Sequence, residues 1–368
     1  MNPVTFQRGI RPRRNDLNFA TVTPRQDHGV SKCNRMKVLF SGIQASGNLH
    51  IGNYLGAIKQ FLTLQDSYKM ILGVMDEHAV TVPQDPKELH ANTLAVAALY
   101  LAAGMDPKKS VIFVQSHVPA HTELGWILNT LTPLGELERM TQFKVKAGGE
   151  RRTAVYAGLL NYPTLMAADI LLYHAHKVPV GEDQIQHIEL TRSLAERFNN
   201  RFGKTLTVPE PFIRKETTRV MDLDDPSKKM SKSAPHPSHY IALLDSPSQI
   251  REKIKTAVTD SEKKIRYDEI KKPAVSNLIR IYGGFADLTH AQVEKKYRGK
   301  GYAEFKDDLA EILIRDLSLL QERYRGYAKN KNALIAILHE GARRANAIAQ
   351  KTLREVKKKM GFVNGPGL

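Results

Sequence analysis

The chain has 368 residues, a length that favours about two domains. Its 55 Lys and Arg residues outnumber 38 Asp and Glu residues, giving a net charge of +17. This excess favours a polyanionic partner, because a basic surface neutralises phosphates and releases counterions. A basic protein without special affinity is the alternative.

The single cysteine, Cys33, excludes a disulfide framework and a four-thiolate metal site within one chain. A reducing, cytoplasmic setting is therefore expected. No apolar run approaches the roughly 18 residues of a membrane helix, so no membrane span is predicted.

Residues 1–35 are rich in arginine and develop no apolar periodicity. We expect a disordered extension or a mis-assigned start, because Met36 directly precedes the first predicted strand. An organelle transit peptide is an alternative, but Pro3, Pro12 and Pro24 work against the amphipathic helix that such a segment needs.

A predicted strand, a turn and a helix follow in succession. The apolar run from Val38 to Ile43 predicts the strand, and the turn Ser46-Gly47-Asn48-Leu49-His50-Ile51-Gly52-Asn53 comes after it. The helix is predicted to be amphipathic, with one apolar face formed by Leu55, Ile58 and Leu62.

The turn has features of a phosphate site. A helix start presents unpaired N–H groups and the positive end of a dipole, and glycines let a nucleotide lie against the backbone. His50 adds a donor. A P-loop is excluded, because Asn48-Leu49 stands where Lys followed by Ser or Thr is required. A structural turn with a structural histidine is the alternative.

Short apolar runs alternate with helical patterns further along the chain. We predict strands at Met70 to Met75, Val111 to Gln115 and Val178 to Val180, and helices at Glu88 to Ala103 and Gln184 to Phe198. This alternation predicts an α/β fold with a doubly wound parallel sheet. Ligands in such folds collect beyond the carboxyl edge of the sheet.

The loop Lys229-Met230-Ser231-Lys232-Ser233 places two ammonium groups and two hydroxyls in five residues. Such a loop suits a polyphosphate, although a solvated surface loop has the same composition. After it we predict charged helices that begin at Pro247 and cover Ala274 to Tyr282 and Ala303 to Tyr327, and a last helix from about Lys331.

Together, the two polar loops resemble the HIGH and KMSKS motifs of class I aminoacyl-tRNA synthetases, with HIGN at His50 to Asn53. Three blocks between them, Gly135 to Lys144, Met166 to Tyr173 and Gly181 to Arg192, resemble the bacterial-type tryptophanyl-tRNA synthetase family. The resemblance runs in order from about Met36 to near the C-terminus.

The resemblance implies a tryptophan–tRNA ligase with a Rossmann-like fold. Its expected partners are ATP, L-tryptophan, tRNA(Trp) and a second copy of the chain, and Mg²⁺ is expected with ATP rather than on a protein-held metal site. The predicted parts are a catalytic domain at 36–228, the KMSKS loop with a helical anticodon-binding domain at 229–330, and a C-terminal helix at 331–368 that packs back toward the catalytic domain. The two copies are expected to pair across Gly135 to Lys144 and Leu159 to Tyr173.

The tryptophan site is argued from Asp169, because a carboxylate in the apolar stretch around it needs a donor. Pairing with a core arginine or capping of a helix is the alternative. In the family the matching carboxylate accepts the indole N–H. The remaining expected tryptophan-binding residues are Phe40, Tyr162, Met166, Val178, Val180 and Gln184.

The resemblance also assigns the ATP site. Expected ATP-binding residues are Gln44, Ala45, Ser46, Gly52, Asn53, Gly181, Glu182, Asp183, Val220, Lys229, Met230, Ser231, Lys232 and Ser233. Expected catalytic residues are His50, Asn53, Lys146, Lys229, Ser231 and Lys232. No metal ligands are expected, and His117, His121, His174 and His176 are interpreted as ordinary helix-end or loop histidines.

Ala45 stands where the family often has Pro, and Ala234 stands where it often has an acidic residue. The sequence does not determine how these two departures affect the closure of the KMSKS loop. Three other functions remain alternatives. These are a tyrosine-specific enzyme of the same fold, a nucleotidyltransferase that makes a small-molecule adenylate, and a non-catalytic tRNA-binding paralogue. The paralogue is expected to have lost His50, Lys229 or Lys232, and this chain keeps all three.

Overall fold

A computed structural model describes residues 36–363 except 46, 48, 148–154, 182–183, 213–218, 232–233, 235 and 263, and only the backbone of 146 and 147. The prediction for residues 1–35 lies outside this part of the chain, as do those for Ser46, Glu182, Asp183, Lys232 and Ser233. The side chain of Lys146 is likewise not described.

The described residues form one parallel sheet of five strands in the order β3-β2-β1-β4-β5. The strands are β1 Val38–Gln44, β2 Lys69–Met75, β3 Val111–Val114, β4 Lys177–Pro179 and β5 Glu210–Phe212. The predicted α/β class and parallel sheet are confirmed. Strand β5, which pairs with β4, was not predicted.

Helices cover both faces and continue beyond the sheet. Before β4 they are α1 Ile51–Asn53, α2 Lys59–Leu64, α3 Asp76–Ala79, α4 Pro86–Ala103, α5 Ala120–Thr130, α6 Leu134–Glu138, α7 Thr141–Ala147 and α8 Ala157–Leu171. After β4 they are α9 Ile185–Phe202, α10 Pro247–Thr256, α11 Pro273–Ala286, α12 His290–Lys296, α13 Tyr302–Lys329 and α14 Lys331–Met360. None of these helices has the length and apolar character needed to cross a membrane.

The helix after the HIGN turn differs from the prediction. A π-helical turn, Tyr54–Ile58, separates α1 from α2. The buried positions along this stretch are three residues apart. Leu55 and Ile58 are buried as predicted, but Phe61 and Leu64 follow them, and Leu62 is only half-buried.

The order in which strands are added to the sheet changes side at β1. Strands β2 and β3 lie on one side of β1, whereas β4 and β5 lie on the other. In a doubly wound sheet, the crevice at the carboxyl ends of such a pair is the place where ligands bind. The fold alone therefore points to the ends of β1 and β4.

Helix α14 lies directly against strand β3. A Cβ placed on Gly341 would be 1.7 Å from the carbonyl oxygen of Ile112, so only glycine permits this approach. Arg344 fixes the same contact by donating to the carbonyl of Pro107 at 2.7 Å. Thr352 donates to the carbonyl of Leu172 at 2.7 Å further along the helix.

We predict that Gly341→Ala lowers the free energy of unfolding by about 1–3 kcal/mol, the usual cost of overpacking. The matched control is Gly326→Ala in α13, where an added Cβ would meet nothing within 4 Å. Alanine there should stabilise by up to about 1 kcal/mol through helix propensity. Urea unfolding of both variants measures the difference, and equal effects would contradict the described docking of α14.

Candidate active site

A cavity of about 360 Å³ opens at the carboxyl ends of β1 and β4. It brings together all seven predicted tryptophan-site residues: Phe40, Tyr162, Met166, Asp169, Val178, Val180 and Gln184. Gln44 and Gly181, which were predicted to bind ATP, also line it. His50, Asn53, Val220 and Lys229 do not.

The cavity walls are mostly apolar and are shaped by packing behind them. Phe40 stacks on Tyr173 with ring centroids 5.6 Å apart, which fixes the plane of the Phe40 ring. Tyr162 is held by a hydrogen bond between its hydroxyl and His187 Nε2 at 2.7 Å. The cavity thus has a defined shape before any ligand enters.

Asp169 is the charged group of this cavity, and it is only 1% exposed. Gln115 donates to its Oδ1 at 2.8 Å, and His121 Nδ1 lies 2.6 Å from the same oxygen. His78 Nε2 lies 2.7 Å from Oδ2. The donors that Asp169 requires are therefore an amide and two imidazoles rather than a core arginine.

These donors keep Asp169 ionised. Burial alone raises the pKa of the carboxyl group, but the hydrogen bonds and charges of His121 and His78 outweigh it and lower the pKa to about 2. A carboxylate has about four lone-pair sites, and the three hydrogen bonds leave room for one more donor. Asp169 and His78 line the cavity whereas Gln115 and His121 do not, so the cavity is the side from which a ligand can reach the carboxylate.

A second carboxylate, Glu77, follows β2 close to Asp169. Its Oε2 is buried and has no hydrogen-bond partner among the described residues. Burial and then the negative charge of Asp169 raise the pKa of Glu77.

His121 corrects an interpretation made from the sequence. It is not an ordinary helix-end or loop histidine, because it is fully buried at the start of α5 and connects Asp169 to the hydroxyl of Tyr173, 2.8 Å from its Nε2. His78 and Gln115 were also missed. A signal for both exists, since His78 lies just after β2 and Gln115 directly after β3, at the edge where ligands collect.

The HIGN turn caps its own helix. His50 Nδ1 accepts the N–H of Gly52 at 3.1 Å, and Asn53 Oδ1 accepts the N–H of His50 at 3.0 Å. With Nδ1 as acceptor, a neutral imidazole carries its proton on Nε2 and can donate there. Asn53 therefore has a structural role in addition to any contact with a ligand.

Two glycines give this turn its shape. Gly47 has φ of 69°, a backbone conformation that side chains rarely adopt. A Cβ on Gly52 would lie 2.9 Å from the His50 ring and 3.5 Å from Val220 Cβ. Gly52 therefore packs closely against the His50 ring and Val220, and a side chain at this position would collide with the ring.

Ala45 forms part of the sheet edge, and its expected contact with ATP stays a prediction. Its side chain is fully buried, and its N–H donates to the carbonyl of Met75 at 3.3 Å. The N–H of Ala45 is therefore used within the sheet edge and is not available to a ligand. Proline, which lacks an N–H, would lose this hydrogen bond.

The segment after the KMSKS loop pairs with the HIGN turn. Ile51 donates to the carbonyl of Ile241 at 3.0 Å, and Leu243 donates to the carbonyl of Leu49 at 2.9 Å. The start of the loop forms a short hairpin, because Met230 donates to the carbonyl of Val220 at 3.0 Å. Met230 is buried, whereas Lys229 and Ser231 are exposed.

The described residues contain no group of three or more His, Cys, Asp or Glu side chains that could hold a metal ion.

A parallel sheet with a ligand crevice at its switch point, joined to a HIGN turn and a KMSKS hairpin, defines a class I nucleotide-dependent ligase. The family model described as tRNA synthetases class I (W and Y) matches residues 32–318. The chain belongs to this family, and the family predicted from the sequence is confirmed.

Similar proteins carry a more specific name. The chain is 55% identical to a tryptophan–tRNA ligase of Caldanaerobacter subterraneus subsp. tengcongensis, covering 89% of this chain and 99% of that protein. It is 52% identical to the tryptophan–tRNA ligase of Bacillus subtilis, covering 89% and 98%.

Solved structures give the same result. Tryptophanyl-tRNA synthetase from Mycoplasma pneumoniae is 36% identical, with a TM-score of 0.83 over 89% of this chain and 98% of that chain. The Campylobacter jejuni enzyme, solved with ADP and tryptophan, is 38% identical, with a TM-score of 0.75 over 89% and 100%.

We predict that Asp169→Asn weakens selection for a ring N–H. The wild-type protein should activate tryptophan better than its benzothienyl analogue, in which sulfur replaces the N–H, by roughly two orders of magnitude or more. The variant should narrow this ratio at least ~10-fold, because its amide can turn a donor toward the ring. Pyrophosphate exchange with both substrates measures the ratio.

The control for that prediction is Asp66→Asn, which removes an exposed carboxylate paired with Lys109. It should leave the ratio unchanged. If Asp169→Asn keeps the wild-type ratio, Asp169 is not the acceptor of the indole N–H.

Proposed function

We propose that this chain is a tryptophan–tRNA ligase, which activates L-tryptophan with ATP and transfers it to tRNA(Trp). The observation that carries the proposal is the buried carboxylate of Asp169, which is held by Gln115, His121 and His78 and lines a mostly apolar cavity. An aromatic amino acid with a single ring donor fits this arrangement. The names of its relatives agree with it.

In the proposed first step, a carboxylate oxygen of tryptophan attacks the α-phosphorus of ATP. The bond from that phosphorus to the bridging oxygen breaks, and pyrophosphate leaves with the electron pair. In the second step a ribose hydroxyl at the end of the tRNA attacks the acyl carbon, loses its proton and releases AMP. Positioning and electrostatic stabilisation dominate such reactions.

Within the cavity, the indole is proposed to lie among Phe40, Met166 and Val178, with its N–H on Asp169. Gln184 is proposed to bind the polar end of the amino acid, and Tyr162 to complete the wall. The amino acid carboxylate then points toward the carboxyl ends of the strands, where the HIGN turn follows β1.

ATP is proposed to place its purine against Gly52 and Val220, which lie side by side, with no side chain on Gly52 in the way. His50 donates to the α- or β-phosphate, and Lys229, Ser231 and Lys232 stabilise the leaving pyrophosphate. Lys146 faces the phosphates, and Asp183 accepts from the ribose hydroxyls. Mg²⁺ accompanies ATP as its counterion and supplies further neutralisation of the phosphate charge.

The proposed tRNA partner agrees with the net charge of +17. The last turn of α14 carries Lys357, Lys358 and Lys359, a local concentration of positive charge that would attract a phosphate backbone. The proposal keeps the cytoplasmic setting expected from a single cysteine.

The direct test is ATP–pyrophosphate exchange with each standard amino acid in turn. Tryptophan alone should support exchange. Exchange with tyrosine would instead indicate the tyrosine-specific alternative, and a lack of exchange with intact tRNA binding would indicate a non-catalytic paralogue.

In the same assay, Lys232→Ala should lower the exchange rate by about 100-fold or more, as expected when one group that stabilises developing charge is removed. Tryptophan affinity should change little. Lys228→Ala is the matched control, because Lys228 is exposed and paired with Asp225 on the surface. Its rate should stay within about twofold of wild type, and equal losses in both variants would contradict the role of Lys232.

We also propose that two copies of the chain pair through an apolar surface. Trp126 is 69% exposed on α5, and Leu134, Val145 and Tyr156 are exposed on the neighbouring elements. Large exposed apolar side chains close together mark interaction sites. The same part of the chain contains the cavity residues Gln142 and Tyr162, so pairing there would also fix the cavity wall.

Trp126→Asp should convert the dimer to a monomer, because it places a charge at the centre of the buried surface. Sedimentation velocity at micromolar concentration measures the change. Ile270→Asp is the control, since Ile270 is 91% exposed on a different part of the chain. A wild-type protein that sediments as a monomer would overturn this part of the proposal.

A further inference from the structure

Asn277 is a buried polar residue in the middle of α11, away from the cavity, and it is 1% exposed. Its side-chain Oδ1 accepts the N–H of Met221 at 2.8 Å. Its Nδ2 donates to the carbonyl of the same residue at 2.9 Å. One amide thus satisfies both backbone groups of a residue 56 positions away.

The pairing of Met221 explains why its backbone needs such a partner. Met221 lies opposite Lys229 in an antiparallel bridge, with hydrogen bonds from Asp222 to Lys228 and from Met230 to Val220 on either side. Met221 is therefore in a non-hydrogen-bonded pair, and its own N–H and C=O point away from Lys229. The side chain of Asn277 therefore makes the two hydrogen bonds that a neighbouring third strand would otherwise make with Met221.

The other end of α11 is attached to the helix that follows the HIGN turn. Lys59 donates to the carbonyl of Gly284 at 2.7 Å and pairs with Asp287 at 2.6 Å. Tyr54 stacks on Phe285 with ring centroids 5.6 Å apart. A Cβ on Gly284 would lie 2.9 Å from Leu55, so the two helices approach closely.

Helix α11 therefore contacts both of the segments to which we assign ATP binding. Its 14 residues form a rigid rod of about 21 Å. One end holds the HIGN helix, and the middle holds the strand that carries Val220 and faces Lys229. The distance between the two ATP-binding segments is thus set partly by the bonds of Asn277.

We propose that Asn277 is a positioning residue for ATP, which acts through Met221 on Val220 and Lys229 and does not touch the substrate. This inference rests on the proposed function. Its specific consequence is that the two substrates are affected differently: loss of the amide impairs the use of ATP, whereas tryptophan binding persists because Asn277 does not line the cavity.

The test uses Asn277→Leu, which keeps the size of the side chain and removes both hydrogen bonds. Two unsatisfied backbone groups cost enough to predict a fall in kcat/KM for ATP of roughly 10- to 100-fold in pyrophosphate exchange. The dissociation constant for tryptophan, measured by equilibrium dialysis, should stay within about twofold. Asn277→Asp, which keeps the acceptor but loses the donor, should show an intermediate fall.

The matched control is Ser276→Ala on the same helix. Ser276 is equally buried, at 1% exposed, and its hydroxyl accepts the N–H of Asp268 at 2.8 Å, with no link to the hairpin. It should lower thermal stability without changing kcat/KM for ATP. Equal kinetic effects in Asn277→Leu and Ser276→Ala, or an equal loss of tryptophan affinity in Asn277→Leu, would overturn the inference.

If Asn277→Leu fails to fold, Lys59→Met provides a second test of the inference. It releases the opposite end of α11 at a half-buried position and should lower kcat/KM for ATP about 3- to 10-fold, as expected for a charged hydrogen bond. Unchanged kinetics in Lys59→Met would also overturn the inference. Wild-type protein without tryptophan-dependent exchange would instead overturn the proposed function, so the two failures are distinguishable.

Discussion

The backbone pairing of the HIGN turn with residues 241–243 is the contact on which the proposed active site depends. The hydrogen bonds of Ile51 to Ile241 and of Leu243 to Leu49 connect a turn at the edge of the sheet to the chain that leaves the KMSKS loop. Backbone bonds in a buried setting are costly to break, since each orphaned group loses its partner without gaining water. The turn and residues 241–243 therefore cannot separate freely.

The same contact holds a helix start, to which we assign phosphate binding, at the sheet edge where the cavity opens. The cavity lies where the strand order reverses, between β1 and β4, and the HIGN turn is the continuation of β1. Asp169 supplies a negative charge in the cavity, and the lysines of the KMSKS loop are proposed to supply positive charge to the phosphates. A substrate that carries a ring donor at one end and a carboxylate at the other is oriented by this polarity.

Local signals in the sequence were sufficient for the main elements of the fold. The runs that became β1, β2 and β3 are apolar and bounded by turns, and Gly104, with φ of 110°, ends α4 where a stop was predicted. Strand β5 was missed because it has three residues and contains Pro211, which a strand pattern disfavours. The π-turn after Asn53 has no local signature comparable to a cap or a glycine stop.

Contacts across long stretches of chain could not be predicted in the same way. Gln115, His78 and His121 are 54, 91 and 48 positions from Asp169, and only the fold brings them to one carboxylate. Asn277 gives no signal at all, since an asparagine inside a helix pattern is usually neutral or slightly unfavourable. The resemblance to a family supplied the residues that we propose to contact ligands, whereas the structure identified the residues that hold Asp169 and Met221 in place.

Backbone hydrogen exchange with and without a non-hydrolysable ATP analogue tests the central claim most directly. If one nucleotide is held between the two segments, the analogue should slow exchange in residues 49–56 and in residues 220–231 at the same concentration. Tryptophan alone should instead protect the region around Asp169. Protection of only one of the two segments at saturating nucleotide would contradict a shared site.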